Sequence, residues 1–530
     1  MHSAWRKLAS LLAILLPLVT LTGVAHSTAA EPVFEGPVPP ATCGPGSVPE
    51  HGLQGEVPKA DRDSGRSRLG YHCNLELVGQ YQGEGQSWQN AWYGHCDYFN
   101  TVFPGRERRP GVQVVDVSDP AHPRLTVTLT TPAMLGPHES LKVNQRRGLL
   151  GAVAAWSPAG NEPVFFDVYD LTADCAHPVL RASVPLNMPI GHEGNWAPDG
   201  LTYYSASTLV RFISAIDVTN PSAPRLLTVL PQESHGLSVS DGGTRMYVAN
   251  PDGFDGGTVG CHVGTPLPQT NSQSCLNGLD ILDVSAIQSR ANLPIFSRPV
   301  VVGSLRWTDG SEAQHTIPIT YHGHPYLVSV DEAGSGSPFN PQGPAGAARI
   351  IDIGDEIRPV VVSKLKLAIQ MPSEASLQLA DAAGDGVFGY QGHYCTVDGE
   401  NDPTALACGY FQSGIRVFDI RDPREPREIA YYNPPAQMGK KAELAGSEHA
   451  NGYAWLGTVL NTDWCTSQVR FVQDPPSLWA ACQDNGLMIL SFTDGVYPLP
   501  PLAVSPQVVR SSRTTSVQPL SPTVGASAPD

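Results

Sequence analysis

Residues 114–120 read VVDVSDP, an apolar strand that ends in Asp and a polar turn, and the same arrangement returns down the chain. It reappears as FFDVYDL (165–171), SAIDVTNP (214–221), DILDVSAI (280–287), RIIDIGDE (349–356) and RVFDIRDP (416–423), with an Asp-less echo at MILSFTD (488–494). Seven copies of one strand-and-turn unit predict a repeat architecture. Around the fourth copy, HGLSVSDGGTRMYVAN (235–250) reads as two short strands joined at Asp241-Gly242-Gly243, GLDILDV (278–284) as a third and RPVVVGSL (298–305) as a fourth. Four antiparallel strands of this kind make one propeller blade. The expected fold is therefore all-β, a seven-bladed β-propeller of four-stranded antiparallel blades.

Proline heads the fourth strand in six units, at HPRLTV (122–127), HPVLRA (177–182), APRLLTV (223–229), RPVVVGS (298–304), RPVVVSK (358–364) and EPREIAYY (425–432). Proline cannot donate to a ladder, so it belongs at the start of an outer edge strand, strand d. The seventh unit lacks one, because GVYPLPP (495–501) dissolves into prolines. NLELVGQY (74–81) has the missing pattern, and an N-terminal strand completing the last blade would close the ring and remove its open edge. The repeated aspartates, Asp116, Asp167, Asp217, Asp283, Asp352 and Asp419, are expected to brace the turn from strand c to strand d through Asx-type bonds.

Residues 1–30 carry Arg6 and Lys7, an apolar run from Leu8 to Val24 and small residues to Ala30. That is the pattern of a cleaved secretory signal peptide rather than a transmembrane anchor. Residues 31–70, rich in Pro and Gly, read as a loosely wrapped leader, 71–497 as the propeller and 498–530 as a disordered Ser/Thr/Pro-rich tail. A net charge of −17 with 16% charged residues argues against a nucleic-acid partner. Ten cysteines without a C-x-x-C pair point to disulfides in an oxidising compartment. Local spacing gives Cys395–Cys408, Cys465–Cys482 and Cys261–Cys275, which leaves Cys73–Cys96 and Cys43–Cys175 by elimination. The chain is expected to be secreted or held at the cell envelope, as a monomer.

On the boxes VVDVSDP, ILDVSAI and VFDIRDP the chain resembles the LVIVD-repeat proteins, over roughly residues 71–494. The resemblance implies an exported β-propeller. It implies no activity and no catalytic residue.

In a propeller the innermost strand a starts on the face that carries the d-to-a and b-to-c loops. Five units place histidine near that start, at GPHES (His138), GHEGN (His192), SHGLS (His235), AQHTI (His315) and GHYCT (His393), and SEHAN (His449) precedes the seventh blade. Imidazoles converging on one axis suit one transition-metal ion, Cu, Fe, Mn or Zn. Glu193, Glu139 and Glu448 are candidate supporting carboxylates or a general base. Against this stands the Gly-His dipeptide of WD-type propellers, which hydrogen-bonds neighbouring strands, and Gly191-His192 and Gly392-His393 match it. His322 and His324 flank a hairpin on the opposite face and read as turn residues.

Long insertions at 250–277, 331–347, 366–391 and 434–463 fall on the histidine-bearing face, which marks it as the working face. The leading expectation is binding of a small-molecule or protein ligand there. A metal-dependent oxidative enzyme comes second and a lactonase-like divalent-ion hydrolase third, since histidine outnumbers carboxylate at the mouth. Calcium at DGFDGG (252–257) is a weak further option. No G-x-S-x-G, H-E-x-x-H, P-loop or strand-linked G-x-G-x-x-G is present.

Overall fold

The computed structural model describes residues 32–500 and 502, apart from 84, 87, 102–108, 155–162, 208–210, 252–276, 334–344, 383–387 and 436–461. Everything below belongs to the unit Val33–Asp530. The signal segment 1–30, the tail beyond 502, Glu448, His449, the Cys261–Cys275 pair and DGFDGG lie outside the described residues.

Seven antiparallel sheets follow one another along the chain. The first blade is Asn90–Tyr93, Cys96–Asn100, Val112–Asp116 and Arg124–Leu129, and the second Lys142–Asn144, Leu149–Val153, Val164–Asp170 and Val179–Leu186. The third is Glu193–Trp196, Thr202–Ser207, Phe212–Asp217 and Arg225–Leu230. The fourth is Leu237–Val239, Arg245–Asn250, Asn277–Asp283 and Val301–Trp307. The fifth is Ser311–Tyr321, His324–Ala333, Ala348–Asp352 and Val360–Lys364, and the sixth Gly392–Val397, Ala405–Tyr410, Gly414–Asp419 and Arg427–Asn433. The seventh takes Arg470–Gln473, Pro476–Cys482 and Gly486–Phe492 from the C-terminal end and Leu75–Tyr81 from the N-terminal end, with Leu77 opposite Leu490. The ring is closed by that N-terminal strand.

The c–d pair of every blade carries one register shift, for example between Val114 and Val115, Ile281 and Leu282, and Leu77 and Gly79. A bulge at the same place in each repeat adds the extra twist that fans the outer strand of a blade. Apolar residues fill the spaces between blades. Tyr204, Ala206 and Ile213 of the third pack on Leu237, Met246 and Val248 of the fourth, and Val328 and Ile350 of the fifth on Leu406 and Phe418 of the sixth.

The Asx brace holds at Asp116, Asp217, Asp283, Asp352 and Asp419, whose Oδ1 atoms accept from the backbone N–H two residues on at 2.8–3.1 Å. In the second blade the brace is Asp170, which accepts from Thr172 N–H at 2.9 Å. Asp167 instead accepts from Ala133 and Met134 N–H at 2.8 and 3.3 Å. The true copy of VVDVSDP there is VYDLTAD (168–174), three residues later than the apolar pattern alone places it.

Two cysteine pairings also differ from elimination. Cys43 pairs with Cys73 and Cys96 with Cys175, because residues 41–50 run beside Tyr71–Cys73 while strand b of the first blade abuts the c–d turn of the second. Cys395–Cys408 and Cys465–Cys482 form as expected, the former between directly opposed residues of neighbouring strands.

The leader is packed rather than loose. Val38 and Val57 are buried, and the Arg416 guanidinium, fully buried in the sixth blade, meets Glu50 of the leader at 2.8 Å and Glu428 at 3.0 Å. Phe34 of the leader bridges along the outer edge of the fifth blade, and directly after the leader Tyr71–Cys73 adds a fifth strand to the outer edge of the sixth. Among the described residues no helix is long and apolar enough to cross a membrane.

Candidate metal centre

Strand a of each blade starts at the mouth of the channel, and the backbone there aims side chains at the axis. The N–H groups of His192 and His235 each donate to strand b of their own blade, to the carbonyls of Ala206 and Ala249 at 2.8 Å. His393 is the second residue of Gly392–Val397. His138 precedes the second blade in a left-handed turn (φ +51°) that delivers Glu139 to the axis, where Glu139 bridges to Glu193 of the next blade.

These groups meet. His192 Nε2 and His235 Nε2 lie 3.1 Å apart, and Glu139 Oε2 sits 3.3 Å from the first and 3.4 Å from the second. Donors around a cation with bonds of 2.0–2.2 Å stand about 3.4 Å apart in tetrahedral geometry. His393 Nε2 approaches the other oxygen of the same carboxylate, Glu139 Oε1, at 3.1 Å, while His393 Nδ1 is 2.5 Å from the carbonyl of Thr466. A carbonyl only accepts, so Nδ1 donates to Thr466 and Nε2 is the nitrogen turned to the carboxylate. His138 Nδ1 lies 3.9 Å from Glu139 Oε1. The sets His138–Glu139–His192 and Glu139–Glu332–His393 each bring three donors within 4.8 Å.

Three contributors carry no repeat signal. Glu332, the penultimate residue of His324–Ala333, places Oε2 3.3 Å from His235 Nε2 and Oε1 3.7 Å from His393 Nε2. Glu312 is buried near Glu139. The Gln314 amide donates to Glu139 Oε2 at 2.7 Å and lies 3.3 Å from His393 Nε2. Trp88 closes one side, its ring 5.5 Å from His138 and 5.2 Å from His393, backed by the stacked pair Phe388 and Phe411.

Two expected members are elsewhere. The pairing of strands a and b in the fifth blade slips between Ala313 and His315, and side chains alternate with period two, so the slip gives Gln314 the channel and turns His315 outward. His315 Nε2 lies 3.2 Å from the Cys395 carbonyl of the sixth blade, with its ring beside Tyr394. Glu193 pairs with buried Lys142 at 3.3 Å and accepts from Leu237 N–H at 2.8 Å, bracing three blades. His322 and His324 flank their hairpin, and His324 meets Asp352 at 2.8 Å.

Burial dominates the electrostatics. It pushes His235 down to about 4 against the pull of Glu139, and it holds His138 well below the usual imidazole value, with His192 adding to the effect. Burial works to raise Glu139 too, but its neighbours, His192 first among them, outweigh it and hold this carboxyl well below its ordinary range. Burial first and the Glu139 charge second drive Glu312 up to about 8 and Glu332 well above the carboxylate range. Four buried carboxylates face one buried ammonium, Lys142, so the pocket needs either protons or cations to balance it.

Residues 109–131, which hold VVDVSDP and the strand after it, match the LVIVD repeat family. No curated protein matches the chain. Among solved structures, hydrazine synthase of Kuenenia stuttgartiensis superposes with a TM-score of 0.45 at 13% identity, over 78% of this chain and 96% of that one. That likeness is too distant to bear on the site.

Proposed function

We propose that this LVIVD-repeat propeller is an exported metalloprotein, holding a divalent transition-metal ion at the mouth of its channel and presenting it to a small-molecule ligand from the loop-rich face. One observation carries the reading. Three imidazole Nε2 atoms, from three different blades, converge on the two oxygens of one buried carboxylate, Glu139, and that of His393 is oriented there by the bond from its Nδ1 to the Thr466 carbonyl. A carbonyl bound to the far nitrogen of a histidine is also the usual way a protein orients a metal-binding imidazole. The strand-linking role weighed for the Gly-His dipeptides fits His393, whose Nδ1 bonds the Thr466 carbonyl ahead of the seventh blade, whereas His192 and His235 turn Nε2 to each other and to Glu139.

The carboxylates bear on the choice of ion and of chemistry. Glu139 and Glu332 beside three or four imidazoles make a mixed N/O donor set, which suits Mn, Fe or Zn better than Cu. They also supply the carboxylates that a hydrolytic divalent-ion site needs, so hydrolysis stands level with oxidation as the use of the ion. A bound ion would polarise a ligand oxygen or lower the pKa of a bound water. Export is supported by the four disulfides among the described residues.

The test is metal analysis by inductively coupled plasma mass spectrometry on full-length protein exported to an oxidising compartment and purified without chelator or His tag. Stoichiometric Mn, Fe or Zn is expected, and its loss in the His192→Ala/His235→Ala double variant with near-UV circular dichroism retained. Folded wild-type protein that arrives without metal and takes up neither Zn²⁺ nor Mn²⁺ would refute it.

A further inference from the structure

Resting on that reading, we infer that the centre is dinuclear, with the carboxylates of Glu139 and Glu332 each bridging two metal ions. Both carboxylates divide their oxygens the same way. Glu139 turns Oε1 to His393 at 3.1 Å and Oε2 to His192 and His235 at 3.3 and 3.4 Å. Glu332 turns Oε1 to His393 at 3.7 Å and Oε2 to His235 at 3.3 Å. Two carboxylates reached from different blades thus span the same pair of histidine groups, which is the arrangement of a doubly carboxylate-bridged metal pair. Ions in such centres stand about 3.5–4 Å apart.

The donors divide to match. His192, His235 and one oxygen from each carboxylate form the first ligand set. His393 and the remaining two oxygens form the second, while His138 stands next to both, 3.9 Å from Glu139 Oε1 and in one three-donor group with Glu139 and His192. Fixing two ions side by side suits them to hold a small oxyanion, or the attacking and leaving oxygens of a displacement, between them.

The experiment uses chelator-stripped, redialysed full-length protein titrated with Mn²⁺ and, in parallel, Zn²⁺. Calorimetry gives the stoichiometry, and electron paramagnetic resonance reads the Mn²⁺ samples. The expected result is two equivalents of each metal, with a spin-coupled Mn²⁺ signal in place of the six-line spectrum of an isolated ion. Glu332→Gln, with its fold checked by circular dichroism, should drop to one equivalent and recover the six-line spectrum. Wild-type saturation at one equivalent with an uncoupled signal overturns the dinuclear centre and leaves the metalloprotein standing. Binding of neither metal overturns both. Should Glu332→Gln fail to fold, the wild-type stoichiometry and coupling decide alone.

Discussion

Asp97, on strand b of the first blade, shows what an unneutralised carboxylate costs this protein. It is fully buried, Asn90 Nδ2 donates to Oδ2 at 3.2 Å, and Oδ1 has no hydrogen bond among the described residues. Burial pushes its pKa up to about 8 against the pull of Asn90 and Arg470. The folded state therefore keeps the proton up to about pH 8 while the unfolded chain loses it near 4. Between those values the native state binds more protons, so this group's contribution is fullest below pH 4 and is lost as pH rises towards 8. Asp97→Asn should stabilise the protein at pH 8 by about 1–3 kcal/mol and leave it nearly unchanged at pH 4, read by urea denaturation. A variant no more stable than wild type at pH 8 would contradict this. The same scale separates the histidines. His235→Ala should lose metal, whereas His315→Ala should keep it, because a one-residue slip at Gln314 has turned His315 out of the channel. The histidines are legible in the sequence because they recur at one place in the repeat. Which of them faces the axis is not, since a bulge leaves no mark in hydrophobic pattern. Glu332 escapes for a different reason, reaching the centre from the end of a strand b.

At the scale of elements, each outer strand is read from its heading proline, and the closing strand Leu75–Tyr81 from its likeness to those strands. What guards the outer edges is less visible. Tyr71–Cys73 covers the sixth blade, Phe34 lies on the fifth, and Ile295 and Ser297 exchange hydrogen bonds with Val229 along the third. Such straps blunt edges that would otherwise pair with other chains. They have no period and a loop-like composition, so nothing in their sequence announces them. The packing of the leader, with Val38 and Val57 buried, is hidden for the same reason. The closing strand carries its own test. A Cβ on Gly79 would collide with the carbonyl oxygen of Pro120 in the c–d turn of the first blade. Backbone is the obstacle, so the two blades must part. Gly79→Val should cost about 1–3 kcal/mol and lower the melting temperature, while Leu77→Val in the half-exposed part of the same strand should cost less. Equal stabilities for wild type and Gly79→Val would mean that this contact does not set the closure.

For the whole molecule, a repeat ring is held mainly by neighbour contacts, and few interactions cross its axis. The candidate centre does cross it. Its donors come from Glu139 before the second blade, His192 and His235 at the third and fourth, Glu332 in the fifth and His393 in the sixth. Metal should therefore raise the melting temperature of the entire propeller, by about 4 kcal/mol of stabilisation at a free concentration a thousandfold above Kd. Chelation should reverse it, and a melting curve indifferent to Zn²⁺, Mn²⁺ and chelator alike would count against ligation across the ring. The most direct test is anomalous diffraction from crystals grown with Zn²⁺ or Mn²⁺, collected on both sides of the absorption edge. The account predicts an anomalous peak about 2.0–2.2 Å from His192 Nε2, His235 Nε2 and Glu139 Oε2. Well-diffracting crystals with those side chains ordered and no peak among them would contradict it.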